Sequence, residues 1–259
     1  MSTLRDIAQV IEAVAPRDLQ ESYDNAGLQC GNPQQEVSTV LTCLDVTEAT
    51  IAEACRRGCQ LVVSHHPLLF HGVKCVSPEA GYVSRTLLLA IQHGIGIYAA
   101  HTNLDKARGG LNDDVAARLS LTDVTPMSDC GVWGRLPHPM TARQLTTHIG
   151  DVLHTRLRYN ADARQLRDGC VLSTLALCTG AGSDFISEAE ALGADAYLTG
   201  ELRYHEWFGH PDMLLLEGGH FETEQFAPQV LAHIISAALP DVQCCIAESH
   251  QSPIALATV

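Results

Sequence analysis

Residues 37–67 read VSTVLTCLDVTEATIAEACRRGCQLVVSHHP, and this stretch decides the fold. Val37 to Leu44 is β-branched and apolar, the pattern of a buried strand, and it ends at Asp45. Thr47 opens a helical pattern that Gly58 closes. Gln60 to Ser64 is a second short apolar strand, with Leu61, Val62 and Val63 in a row, and it runs out into His65-His66-Pro67. Strand, helix and strand in about 30 residues make a βαβ unit, whose two strands lie parallel in one sheet.

The same rhythm extends on both sides. Upstream, Thr3 to Ala15 is an amphipathic helix: Leu4, Ile7, Ala8, Ile11 and Val14 recur at helical spacing, Thr3 with Asp6 makes a capping pattern, and Pro16 follows the end. Downstream, Ser84 to His93 is helical and closed by Gly94, Ile95 to Ala100 is a strand, and Asn112 to Leu119 is a helix. The second half repeats the alternation with strands at Val171–Cys178, Ala194–Leu198, Met213–Leu216 and Val242–Ile246. Its helices are Asp184–Leu192 and a long one from about His220 to Leu239, perturbed at Pro228. Such alternation predicts an α/β protein: two similar lobes with largely parallel sheets in layered helix/sheet/helix packing. The expected division is 1–126 as a first lobe, completed by 226–259, and 127–225 as a second. Between them Thr125 to Gly169 reads as a crossing, with Pro126, Pro137 and Pro139 and one clear helix, Thr141 to Leu153.

Composition narrows the function classes. Of 259 residues 46% are hydrophobic and 18% charged, which suits a folded core and excludes a disordered or coiled-coil chain. The net charge of −14 repels phosphate backbones, and the densest basic pair is Arg56-Arg57, so nucleic acid is not an expected partner. No apolar run is long enough for a membrane span, and Arg5, Asp6 and Glu12 interrupt the first turns, so the expected location is cytoplasmic. The ten cysteines include no CxxC pair and read as reduced thiols used as small hydrophobes.

In parallel α/β sheets, ligands bind beyond the carboxyl ends of the strands. Three clusters sit at such ends. The first is Ser64-His65-His66-Pro67. Adjacent residues on a strand point to opposite faces, so both imidazoles converge on one site only if the chain leaves the strand there, as Pro67 suggests; the alternative is a pair of surface histidines. The second is His101-Thr102-Asn103-Leu104-Asp105, in which a histidine and a carboxylate four residues on reach a common centre through a tight turn, or Asn103 and Asp105 merely cap a helix. The third is Gly219-His220-Phe221-Glu222-Thr223-Glu224, where residues four apart on a helix present N and O ligands on one face. Taken together these imidazoles and carboxylates suit two divalent ions about 3.5–4 Å apart. Glu224 or Asp105 is the candidate bridging carboxylate. A donor set without thiolate favours Zn, Mn, Fe, Co or Ni.

At these residues the chain resembles the GTP cyclohydrolase 1 type 2 homolog family. The resemblance rests on Tyr23-Asp24-Asn25-Ala26-Gly27-Leu28, Ser64-His65-His66-Pro67, His101 to Asp105, Thr199-Gly200-Glu201 with His205, and Gly219-His220 through Glu224, in that order over nearly the whole chain. It implies a dinuclear metal site between the lobes, held by His65, His66, Asp105, His220 and Glu224, with Glu224 bridging. His101 is then a further ligand or a catalytic proton-transfer group. The resemblance further implies a metal-dependent hydrolase acting on a nucleotide, related heterocycle or phosphoester as its small-molecule substrate. The implied assembly is a ring-shaped homohexamer, and no extra domain is inserted between the lobes. The alternative is a non-catalytic metal-trafficking scaffold or regulatory protein. Asp24 and Asn25 line the pocket on this view, or form a plain turn. Glu201, His205 and Asp45 orient ligands or are surface groups. Gly180-Ala181-Gly182 seats a phosphate or is a simple turn.

Overall fold

The βαβ unit read from residues 37–67 forms, as strand Thr39–Cys43, helix Glu48–Arg56 and strand Leu61–Ser64. A computed structural model describes residues 2–255. The chain divides into two units, Met1–Ala107 with Ala227–Val259, and Arg108–Phe226; residues 256–259 of the expected first lobe lie outside the described part.

The first unit opens with β1 (Ser2–Thr3) and α1 (Leu4–Val14). Thr3 Oγ1 accepts from the Asp6 N–H at 3.3 Å while Asp6 accepts from the Thr3 N–H at 2.7 Å, a reciprocal cap worth about 1 kcal/mol. Then come β2 (Gly27–Cys30), β3 (Glu36–Val37) and β4 (Thr39–Cys43). The single strand expected from Val37 to Leu44 is therefore broken at Ser38. The Gln60 side-chain oxygen accepts from the N–H groups of both Ser38 and Thr39, at 2.9 and 3.0 Å. Val37 pairs antiparallel with Ser2, and Thr39 onward joins the main sheet. Next are α2 (Glu48–Arg56), capped by Thr47 as the sequence predicts, and β5 (Leu61–Ser64). They are followed by α3 (Tyr82–Gln92), β6 (Gly96–Ala99) and α4 (Thr102–Lys106).

The second unit holds α5 (Leu111–Arg118), β7 (Thr122–Pro126), β8 (Val132–Met140), α6 (Ala142–Leu153) and β9 (Arg158–Tyr159). It continues with β10 (Leu172–Cys178), α7 (Ile186–Ala191), β11 (Ala196–Thr199), β12 (Leu214–Glu217) and α8 (His220–Glu224). The sheet order is β7-β8-β10-β11-β12-β9. Strands β10, β11 and β12 are parallel, and the outer strands antiparallel. The stretch Thr125–Gly169 is thus not a crossing but part of this sheet. Pro137 and Pro139 hide β8 from the sequence pattern: its pairing with β10 jumps from Arg135 to Met140 against Thr174 to Leu172, and both prolines sit in that irregularity. Residues 108–126, expected in the first lobe, pack with the second because β7 pairs with β8. Ile186 and Ala189 of α7 close one face of this sheet with Ala176, Tyr197 and Leu215.

The chain then returns to the first unit with α9 (Ala227–Ala238) and β13 (Gln243–Ile246). The long helix expected from His220 is two helices. Gln225 lies at the break, its Nε2 donating to the carbonyls of Glu222 and Leu153, both at 2.8 Å. Pro228 sits in the first turn of α9, where its missing N–H is no loss. The first unit's sheet has the order β13-β4-β5-β6-β2, parallel except for β2. Leu41, Val62 and Ile97 face α2 and α3, while Tyr98 on the other face donates to Glu12 of α1 at 2.9 Å, with α9 packed alongside α1. Cys43, Cys59, Cys130 and Cys178 are buried as small hydrophobes, whereas Cys75 is exposed. No helix of the described residues is long and apolar enough to cross a membrane.

Candidate metal centre

In the first unit, three consecutive parallel strands end at one edge, and each end delivers a polar group: Asp45 after β4, His65 and His66 after β5, His101 after β6. The backbone N–H groups of His65 and His66 donate to the carbonyls of Cys43 and Leu44 at 3.1 and 2.9 Å. Ser64 Oγ donates to the His66 carbonyl at 2.8 Å, which bends the chain off the strand. The three imidazole rings gather with centroids 5.2 to 5.4 Å apart, and one nitrogen from each lies within 4.8 Å of the other two.

The nitrogen facing away from this cluster is engaged in every case. His65 is fully buried, and its Nδ1 lies 2.8 Å from the Ala100 carbonyl oxygen. A carbonyl oxygen only accepts, so Nδ1 carries a proton and donates. His66 Nδ1 is 2.8 Å from Asp45 Oδ1, and His101 Nδ1 is 2.8 Å from Asp24 Oδ1. Burial pushes the Asp24 carboxyl up, but hydrogen bonds from His101 and Thr102 outweigh it and hold the group down at about 2. Asp24 is therefore an ionised acceptor at neutral pH. It also receives the Thr102 N–H at 3.1 Å and the Thr102 hydroxyl, at the start of α4. Asn103 is buried with both ends of its amide engaged: its oxygen accepts from the His101 N–H at 2.9 Å and its nitrogen donates to Ala15 O at 2.7 Å. One turn on, Asp105 brings Oδ1 to 3.6 Å from His65 Nε2.

The second unit repeats the device. Strands β10, β11 and β12 end in Thr179-Gly180, Gly200-Glu201 and the segment leading into α8. His220 Nδ1 is 3.1 Å from Glu201 Oε1, and His220 Nε2 is 3.1 Å from Oε2 of the buried Glu224 one turn along. Thr223 ties α8 to the β10 loop: its Oγ1 accepts from the Gly180 N–H at 3.1 Å. Gly180, at φ +64°, is pressed against the Glu224 carboxylate; a Cβ there would lie 3.2 Å from Glu224 Cδ, 3.5 Å from His220 Nε2 and closer still to Glu224 Oε1.

The structure thus gathers His65, His66, His101 and Asp105 in one unit, and His220 with Glu224 in the other. Of the supporting candidates, Asp24, Asp45 and Glu201 hold imidazoles, while His205 is exposed and stacks edge-on with Tyr204 instead. The loop at Gly180 is not a phosphate seat. The N–H groups of Gly180 and Gly182 are spent on Thr223 and Thr199, and a carboxylate faces the loop. The sequence reading missed the Ala100 carbonyl, the Thr223 tie and the contact of Gly180 with Glu224. The Ala100 carbonyl and Gly180 bring no side chain to single out, and the Thr223 hydroxyl gives no sign of its distant partner. The donor set fits a borderline divalent ion: neutral imidazole nitrogens oriented from behind, with carboxylate oxygens beside them.

A family model described as Duf34/NIF3 (NGG1p interacting factor 3) matches residues 2–253. A relative from Clostridium perfringens named GTP cyclohydrolase 1 type 2 homolog is 35% identical over 233 residues, 85% of this chain and 86% of the relative. One of the same name from Streptomyces coelicolor is 32% identical, covering 86% of this chain and 82% of its own. Among solved structures, a Bacillus cereus protein related to NIF3 superposes with a TM-score of 0.91 at 20% identity, over 99% of both chains, which speaks for the fold.

Proposed function

This chain belongs to the Duf34/NIF3 (NGG1p interacting factor 3) family, and from that premise we propose that it is a metal-dependent hydrolase whose two donor sets serve one dinuclear centre. The observation that carries the reading is the common posture of four imidazoles. His65, His66, His101 and His220 each have Nδ1 held by a carbonyl or carboxylate, and in His65 and His220 the Nε2 lies beside a candidate carboxylate, 3.6 Å from Asp105 and 3.1 Å from Glu224. Such orientation costs entropy and is worthwhile where the other nitrogen has a ligand.

In this proposal His65, His66, Asp105, His220 and Glu224 would hold the ions, and two divalent ions bound there would supply Lewis acidity and lower the pKa of a water. His101 has a separate part. The ionised Asp24 fixes its Nδ1–H, which leaves Nε2 to take up and return a proton. A nucleotide, related heterocycle or phosphoester as substrate, and a homohexamer as the working assembly, belong to the proposal on the strength of the family resemblance.

The test begins with metal analysis. Protein purified without added metal and then reconstituted should hold two equivalents, and His65→Ala and His220→Ala should each lower that figure. The loaded protein should turn over at least one member of a panel of nucleotides and phosphoesters above the metal-only background. His101→Ala should keep the metal and lose the turnover. A stoichiometry near zero sinks the metal reading. Full metal content with no turnover in any variant favours the non-catalytic scaffold.

A further inference from the structure

Two aromatic rings beside His101 take no part in the donor set and are not core. Tyr23 is 65% exposed and Phe70 36% exposed, in a chain with only 5% aromatic residues. Their ring centroids are 6.3 Å apart in an edge-to-face arrangement, and Phe70 stands edge-to-face to His101 at 6.0 Å. The rings therefore line a corner rather than stacking on one another.

The corner is held by polar contacts, not by burial of the rings. Asn25 Nδ2 donates to Leu69 O at 2.7 Å, Leu69 N–H donates to Gln29 Oε1 at 3.1 Å, and Gln29 Nε2 donates to Asn25 O at 2.6 Å. The first two bonds fasten the segment carrying Tyr23 to the loop carrying Phe70, and the third braces Gln29 against Asn25 within the first segment. Tyr23 also adjoins Asp24, which orients His101. One short segment thus sets both the ring and the imidazole. Leaving two rings in water costs apolar burial, and fixing two loops with three side-chain bonds costs entropy. A pre-organised aromatic surface next to a reactive group recovers that cost when it receives a flat ligand.

We infer that Tyr23 and Phe70 form the stacking corner for a planar heterocycle, so that the substrate of this site is a nucleobase-type compound whose ring packs against them beside His101. This rests on the metal-hydrolase reading for what happens next to the ring, but the binding itself is measurable without turnover. Stacking of one base on an aromatic residue is worth about one to two orders of magnitude in affinity.

The experiment is calorimetric titration of metal-loaded protein with guanosine and adenosine, and with ribose 5-phosphate as a probe that lacks the planar base, alongside metal analysis of every sample. Wild type should bind at least one nucleoside. Tyr23→Ala and Phe70→Leu should each weaken it by about tenfold or more, with ribose 5-phosphate binding and metal content unchanged. Tyr23→Phe, which keeps the ring, should retain wild-type affinity. The exposed Tyr23 tolerates truncation without disturbing the core, so this variant decides even if Phe70→Leu folds poorly. The inference is overturned if wild type binds neither nucleoside, if Tyr23→Ala binds as wild type does, or if ribose 5-phosphate affinity falls in parallel. Loss of metal from wild type would instead strike the metal reading, and the two failures are told apart by the metal analysis.

Discussion

Replacing Gly180 by alanine should weaken metal binding at the proposed centre while leaving the fold standing. A Cβ at this position would sit 3.2 Å from Glu224 Cδ and nearer still to Oε1, against an ordinary contact of about 3.5 Å. The carboxylate is the mobile end of a side chain, so it yields before the backbone does, by about 1 Å or more. That displacement is small for stability and large for chemistry: a misplacement of about 1 Å costs on the order of 100-fold in rate, and disturbing a ligand's support costs about 10- to 100-fold in metal affinity. The backbone at φ +64° adds strain of about 1–2 kcal/mol for any residue with a Cβ, a fall in Tm of about 2–8 °C at this chain length. Gly193→Ala separates the two effects. Gly193 has φ +70° and nothing within 4 Å of its would-be Cβ, so it carries the strain without the displaced carboxylate. Chelator competition and thermal unfolding of both variants should show similar losses of Tm, with weakened metal binding in Gly180→Ala alone. Unchanged affinity in Gly180→Ala, or an equal loss in Gly193→Ala, would refute the reasoning.

Asp45→Ala frees the Nδ1 of His66 from its 2.8 Å partner and should lower metal affinity about 10- to 100-fold with little change in Tm, read by the same chelator competition. Glu201→Ala should act likewise on His220, whose Nδ1 lies 3.1 Å from Glu201 Oε1. Glu53 gives a pH dependence independent of the metal donors. Burial pushes its carboxyl up, but the N–H groups of Glu248 and Ser249, both at 2.9 Å, and Arg57 at 2.8 Å outweigh this and hold it at about 2, below its ordinary 4.5. A depressed carboxyl contributes stability that is present above pH 4.5 and lost as pH falls toward 2, here about 3 kcal/mol. Urea unfolding of metal-free protein between pH 6 and 3 should show wild type approaching Glu53→Gln in stability as the pH drops; a constant gap between them would count against it.

The βαβ core was legible in the sequence because its information is local. Apolar runs at Leu61–Val63, the Thr47 cap and the glycine stop at Gly58 each act within one turn or strand. The donors were legible for a related reason: they follow strand ends, where an α/β sheet collects its polar groups. What stayed hidden is non-local. Ser38 breaks the first strand because Gln60, from another element, captures its N–H. Strand β8 was hidden by two prolines that only its irregular pairing with β10 accommodates. The sequence offered Asp45 and Glu201 as ligand orienters or as surface groups. Their assignment to His66 and His220 needed coordinates, as did the Ala100 carbonyl that fixes the tautomer of His65.

The route of the chain has a consequence for how it acquires its shape during synthesis. The second unit is one uninterrupted segment, Arg108–Phe226, whereas the first needs both Met1–Ala107 and the returning α9 and β13. A ribosome therefore releases everything required for the later unit before it releases the edge strand of the earlier one, reversing the usual vectorial order. Until Gln243–Ile246 emerges, β4 shows an open edge and Glu53 waits for the backbone of Glu248 and Ser249. The nascent chain thus passes through an interval in which the three-histidine cluster hangs on an unfinished sheet, and a chaperone that shields that edge, or a stall late in translation, would act on the assembly of that cluster.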